Sequence, residues 1–110
     1  MPLVEIFHSA KRLPFSIGKA EVRFREIWAV PKGILQVMAI PVTEMAPEGA
    51  LYVTVRCKAK EDRTPEKVRE NLTLMRDWLQ QNGAPQGAIR VERYSPELQD
   101  LLPFGNDAKL

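Results

Sequence analysis

The sequence predicts an α/β fold made of two β-α-β units, giving four strands and two helices in a single domain. Three observations predict it. Apolar residues alternate in short runs that bracket two stretches of helical periodicity. The order strand-helix-strand occurs twice. Landmarks of the first half also return in the second in the same order: Val4-Glu5-Ile6 then Ala10-Lys11 against Val53-Thr54-Val55 then Ala59-Lys60, Arg25-Glu26-Ile27-Trp28 against Arg76-Asp77-Trp78, and Pro31-Lys32-Gly33-Ile34-Leu35-Gln36-Val37 against Pro85-Gln86-Gly87-Ala88-Ile89-Arg90-Val91. One supersecondary unit used twice accounts for such a pattern. The repeats run from about 2–49 and 50–95, followed by a C-terminal tail, 96–110.

The first strand is Pro2-Leu3-Val4-Glu5-Ile6-Phe7. Ser16 caps a helix with the apolar stripe Ile17, Ala20, Phe24, Ile27 and Trp28, and Pro31 ends it near Val30. Residues 34–42 read as a second strand, so apolar on both faces that a central place in the sheet is expected. Residues 43–49 form a loop. The third strand, from Leu51, sets Leu51, Val53, Val55 and Cys57 on one face and Tyr52, Thr54, Arg56 and Lys58 on the other. Thr64 caps the second helix with Pro65 at its first position, and Val68, Leu72, Met75 and Leu79 line its apolar side until Gly83 stops it. Ile89, Val91 and Arg93 alternate with Arg90, Glu92 and Tyr94 in the last strand. The tail holds Leu98, Leu101, Leu102 and Phe104, and so apolar a segment should pack on its own subunit or on a neighbour.

At 110 residues the chain forms one domain, with 45% apolar and 27% charged residues, the composition of an ordinary globular protein. No run approaches the roughly 18 apolar residues of a membrane span, so a cytoplasmic protein without membrane partners is expected. A single cysteine, Cys57, excludes an internal disulfide and a multi-cysteine metal site. A net charge of +2 suits small anionic molecules rather than nucleic acid. Phosphate loops, zinc patterns and Ser/His/Asp sets are missing, and no metal or cofactor is expected.

The residue with most chemical promise is Pro2. Initiator methionine is usually removed before proline, which would leave a rigid secondary amine at a strand end. An α-amino group titrates at about 7.7–8.0, and burial or nearby cations lower that value. Such a base suits proton removal beside a carbonyl. A chain that keeps Met1 has an amide there instead, and Met-Pro can also be an inert start.

On these residues the chain resembles the tautomerase superfamily, whose subunits are doubled β-α-β units with an amino-terminal proline. The opening Pro2-Leu3-Val4-Glu5-Ile6 with Lys11-Arg12, and Thr43-Glu44-Met45-Ala46 later, are similar to 4-oxalocrotonate tautomerase. Lys58 leading to Arg63-Thr64-x-Glu66, Leu74-Met75 and Glu92-x-x-x-Pro96-x-Leu98 resemble 5-carboxymethyl-2-hydroxymuconate isomerase. The resemblance implies a cofactor-free tautomerase or isomerase acting on a small carboxylate-bearing substrate. It implies Pro2 as general base, Arg12 on a substrate carboxylate, and a homotrimer with sites between subunits. Arg63 or Lys58 would then steady the developing enolate. One departure is plain: Leu35, Gln36, Val37, Met38 and Ala39 stand where such enzymes carry second-strand arginines.

Other candidates have ordinary readings beside the functional one. Arg56 and Lys58 would pair with Glu5 or Glu92, His8 would be a satisfied strand-end histidine, Cys57 a small buried hydrophobe, and Trp28 and Trp78 core residues. The same element order also fits a ferredoxin-like binding or oligomerising module. That module would set the first strand between the third and second among antiparallel neighbours, with helices on one face only. The doubled unit instead requires the first and second strands to be adjacent and parallel, and the third and fourth likewise.

Overall fold

The structure, a computed structural model, describes residues 2–9, 12–102 and 104–105. The repeat landmark Ala10-Lys11 and the last tail residues lie outside them.

Each unit forms for local reasons. β1 (Leu3–His8) alternates half-buried and buried positions through its length, as a strand covered on one face must. α1 (Ile17–Trp28) starts where the Ser16 hydroxyl accepts from the Lys19 amide at 3.1 Å. It ends at Ala29, whose left-handed backbone (φ 53°) lets its N–H close onto the last carbonyls two residues before Pro31. β2 (Gln36–Pro41) completes the first unit. The second unit runs through β3 (Leu51–Lys58), α2 (Pro65–Gln81) and β4 (Gly87–Tyr94). Thr64 caps α2 by accepting from the Lys67 amide at 3.2 Å. A single 3₁₀ turn, Pro96–Leu98, follows β4.

The four strands form one sheet in the order β2-β1-β3-β4. β1 pairs with β2 in parallel, β3 with β4 in parallel, and β1 with β3 antiparallel. β1 does lie between β2 and β3, and both helices lie on one face, so neither strand order nor helix placement separates the two topologies. Pairing direction does. In a split ferredoxin-like unit another strand separates the two parallel strands, whereas here each parallel pair is hydrogen-bonded directly. The doubled β-α-β reading holds.

The central placement expected of the second strand is corrected. Among the described residues, β2 is an edge strand bonded only to β1. Its two-sided apolar character has another cause: Val37 turns toward the helices, while Met38, 43% exposed, faces the uncovered side of the sheet. The strand is also shorter than expected, because Ile34 and Leu35 belong to the preceding turn and Leu35 inserts into the core from there.

Both helices cover one sheet face. Val4, Ile6, Val53, Val55 and Cys57 meet Ala20, Phe24 and Met75, all 1% exposed or less. The two tryptophans are core residues, as expected. The Trp28 indole N–H donates to Met75 Sδ at 3.3 Å, and Trp78 makes edge-on ring contacts with Phe15 and Phe24 at 5.0 and 5.5 Å. On the open face Arg56 pairs with Glu92 at 3.5 Å, as its ordinary reading expects, while Glu5 accepts from the Thr54 hydroxyl at 3.0 Å and, among the described residues, Lys58 forms no ion pair. Among the described tail residues, Leu98, Leu102 and Phe104 are 88%, 87% and 93% exposed and Leu101 is 52% exposed, so these side chains are not covered by their own subunit.

Candidate active site

Pro2 closes the amino end of β1. It is fully buried, and its carbonyl accepts from the Gln36 amide at 3.1 Å, tying the strand's start to β2. The β1–β3 register pairs Leu3 with Arg56. One step further along, that register sets Pro2 level with Cys57. Both belong to the helix-covered face, since side chains alternate from Pro2 through Val4 and from Val55 to Cys57.

The loop after β3 carries cations to this same end. Arg63 lies just before the Thr64 cap and is only 9% exposed. Its Nη1 donates to the Lys58 carbonyl at 2.8 Å, and its backbone N–H donates to the Lys60 carbonyl at 3.0 Å, folding residues 60–63 into a tight turn. β4 adds Arg93, the parallel register partner of Cys57, which donates weakly to the Arg63 carbonyl at 3.4 Å. Among the described residues, no ion pair involves Lys60, Arg63 or Arg93. A guanidinium this buried ordinarily has an anionic partner, because removing charge from water is costly unless it is compensated.

Cys57 reports the local field. Burial pushes its thiol above the ordinary value, and Arg63, Arg93 and Lys60 pull the other way without prevailing. A measurable consequence follows. The thiol is neutral in both folded and unfolded states below about pH 8.5. Above it, the unfolded chain loses the proton first, so stability falls with rising pH, by at most about 1.4 kcal/mol per pH unit, until the folded thiol also ionises. Thermal melts from pH 8 to 10.5 should show this slope in the wild type and a shallower one in Cys57→Val.

The structure separates the remaining candidates. Arg12 lies past the carboxyl end of β1, lining a cavity of about 220 Å³ with His8, Ser9, Gly49 and Gly83. β1 is six residues long, so at about 3.3 Å per residue its ends are roughly 20 Å apart, with Pro2 at one and Arg12 past the other. Arg12 would stand near Pro2 only if the chain turned back, and within one subunit it lies beyond the far end of β1 instead. Lys58 contributes its carbonyl to the Arg63 turn, while its side chain belongs to the opposite, open face. His8 is buried at 5% exposure on the Val4 and Ile6 side. A larger cavity, about 390 Å³, lies between α2 and the start of β4 with Leu72, Leu79 and Ile89 on its walls, and contains none of the candidate residues.

Sequence reasoning passed over Arg93. The signal was present, because a charge stood on the same alternating face as Ile89 and Val91, but its neighbours came from a loop and a strand distant in sequence. Among the described residues, no group of three or more His, Cys, Asp or Glu side chains is placed to hold a metal. No helix among them is long and apolar enough to cross a membrane.

The architecture that carries this cluster is the tautomerase fold. Solved structures of tautomerase-superfamily proteins share it at low sequence identity. A 5-carboxymethyl-2-hydroxymuconate delta-isomerase is 17% identical, with a TM-score of 0.65 over 96% of this chain and 89% of its own. A malonate semialdehyde decarboxylase inhibited by 3-bromopropiolate is also 17% identical, with a TM-score of 0.69 over 94% and 91%. A native fused 4-OT is 13% identical, with a TM-score of 0.72 over 90% and 91%. No protein-family profile matches the sequence. No curated protein matches it either.

Proposed function

We propose that this chain is a cofactor-free tautomerase or isomerase of a small carboxylate-bearing enol or unsaturated acid, with Pro2, freed of Met1, as the general base. One observation carries the reading: Arg63 is 9% exposed, has no carboxylate partner among the described residues, and lies at the sheet end where Pro2 begins β1. An anionic substrate would supply the missing partner. Burial and the cations around Cys57 both disfavour an ammonium at Pro2, and so favour the neutral, proton-accepting amine near pH 7. Pro2 would take a proton from the enol hydroxyl or from one carbon and return it to another carbon, leaving the substrate's composition unchanged. Arg63 would hold a carboxylate through paired donors and steady the charge that grows on the enolate. Arg63 rather than Lys58 takes this role, since Lys58 ends β3 with its side chain on the other face.

Arg12 is compatible with this reading across a subunit boundary. Met38 and Tyr52, 43% and 41% exposed, leave apolar surface on the open sheet face, and the exposed tail adds more. A homotrimer would cover both and could bring Arg12 of one subunit to Pro2 of another. The test is kinetic and hydrodynamic. Arg63→Ala should raise KM for phenylpyruvate enol at least tenfold, about the 1.5–3 kcal/mol of a hydrogen bond to a charged group. Arg12→Ala should do so only if sedimentation shows an oligomer. An unchanged KM in Arg63→Ala would remove the observation on which the reading stands.

A non-catalytic ligand-binding or oligomerising protein of the same fold is favoured by one feature. β2 carries Gln36, Val37, Met38, Ala39 and Ile40, with no cation to hold a second substrate group. Enol ketonisation by the purified chain separates the two readings.

A further inference from the structure

We propose that the groove between α2 and β4 is a second binding site, one that takes an apolar-tailed carboxylate, a straight hydrocarbon chain ending in one anionic head. It lies away from Pro2, and the inference does not depend on the reaction proposed there. The groove is a cavity of about 390 Å³, within the roughly 300–1,000 Å³ of ligand pockets. Its residues come from α2, from the turn after it and from the starts of β3 and β4, whereas Pro2 is level with Cys57 near the other end of β3. That strand is eight residues long, about 25 Å from end to end.

The floor of the groove is apolar and firmly held. Leu51, Val53, Leu72, Leu79 and Ile89 line it, and Leu72 and Ile89 are only partly buried. β4 opens against β3 at Gly87, where a Cβ would stand 2.1 Å from the Leu51 carbonyl oxygen, so backbone packs directly on backbone there. One wall is cationic. Arg69 and Arg76 line the groove from α2, two helical turns and so about 10 Å apart, with Thr73 between them. No Asp or Glu lines it, and among the described residues Arg69 forms no ion pair. Arg76 is held by Asp77 at 3.0 Å, which leaves Arg69 as the head-group partner. An apolar floor beside two cations matches a ligand that is apolar along its length and anionic at one end. The chain leaves water against the leucines, while the carboxylate keeps a charged donor fork.

The test is calorimetry on the full chain at about pH 7, where a carboxylate is ionised, with decanoate, octanoate and uncharged decanol kept below aggregation. Decanoate should bind saturably with a Kd on the order of 10–100 μM. It should bind about 10-fold tighter than octanoate, because two further methylenes leave water. Arg69→Gln should weaken decanoate about 5-fold or more and decanol by less than about 2-fold. Thr73→Trp changes an exposed residue and fills the groove, so all three ligands should weaken at least about 10-fold while the melting temperature holds. No saturable decanoate binding would overturn the proposal. Equal losses of decanoate and decanol in Arg69→Gln, or no loss of decanoate, would do the same, as would decanoate binding untouched by Thr73→Trp. Binding to phosphatidylglycerol vesicles without binding to free decanoate would overturn it in favour of a lipid surface. Decanoate affinity that falls as protein concentration rises, with an oligomer in sedimentation that Thr73→Trp removes, would overturn it in favour of a second copy of the chain.

Discussion

Pro2→Ala should lower kcat/KM for enol ketonisation by about 10²–10⁴, the contribution of a positioned general base. The substitution leaves a primary amine after Met1 removal, but loses the ring that fixes the nitrogen at the strand end. Folding should change little by comparison, since the backbone carbonyl at this position still accepts from Gln36. A chain that keeps Met1, identified by intact mass, has no amine at Pro2 and should show the same loss without any substitution. The pH profile adds a second check. A base lowered by burial and cations should put the acidic limb of kcat/KM below the 7.7–8.0 or so of an open α-amine, and Arg63→Ala should move that limb upward. A wild type with Met1 removed and no activity on any enol would exclude Pro2 as a base.

Phe24→Ala should cost about 3–5 kcal/mol of stability, the largest effect expected in the core. Phe24 is fully buried and its ring meets the edge of Trp78, so truncation opens a cavity between α1, α2 and the sheet. Relaxation cannot fill it easily, because strands hydrogen-bonded to β1 and β3 hold the floor in place. For a domain of this size the melting temperature should fall on the order of 15 °C. Phe24→Leu keeps most of the volume and should cost much less. A loss below 1 kcal/mol in Phe24→Ala would mean that the two helices do not pack through this residue.

The elements themselves were legible because their causes are local. Ser16 and Thr64 each offer a hydroxyl to the amide three residues on, Pro31 and Gly83 stop the helices, and alternation along Leu51–Lys58 marks the covered face without knowledge of any neighbour. Cys57 as a buried small residue, and Trp28 and Trp78 as core, follow from the same periodicity. The parallel pairing inside each unit followed from the doubled pattern, since a helix between two strands favours a parallel return.

Tertiary structure settled what depends on residues far apart in sequence. β2 reads as central from its composition, yet it is an edge strand, because apolar residues on both faces do not by themselves fix how many neighbours a strand bonds to. Arg12 and Pro2 look adjacent in a short stretch of chain, but they lie at opposite ends of an extended strand about 20 Å long, a consequence of rise per residue that only a definite strand boundary reveals. Arg63 and Arg93, thirty residues apart, meet because β4 pairs in parallel with β3 and the capping turn before α2 folds back over its end. Periodicity assigns a residue to a face; which charges share that face at one end of the sheet is set by strand register, a long-range property that no local pattern encodes.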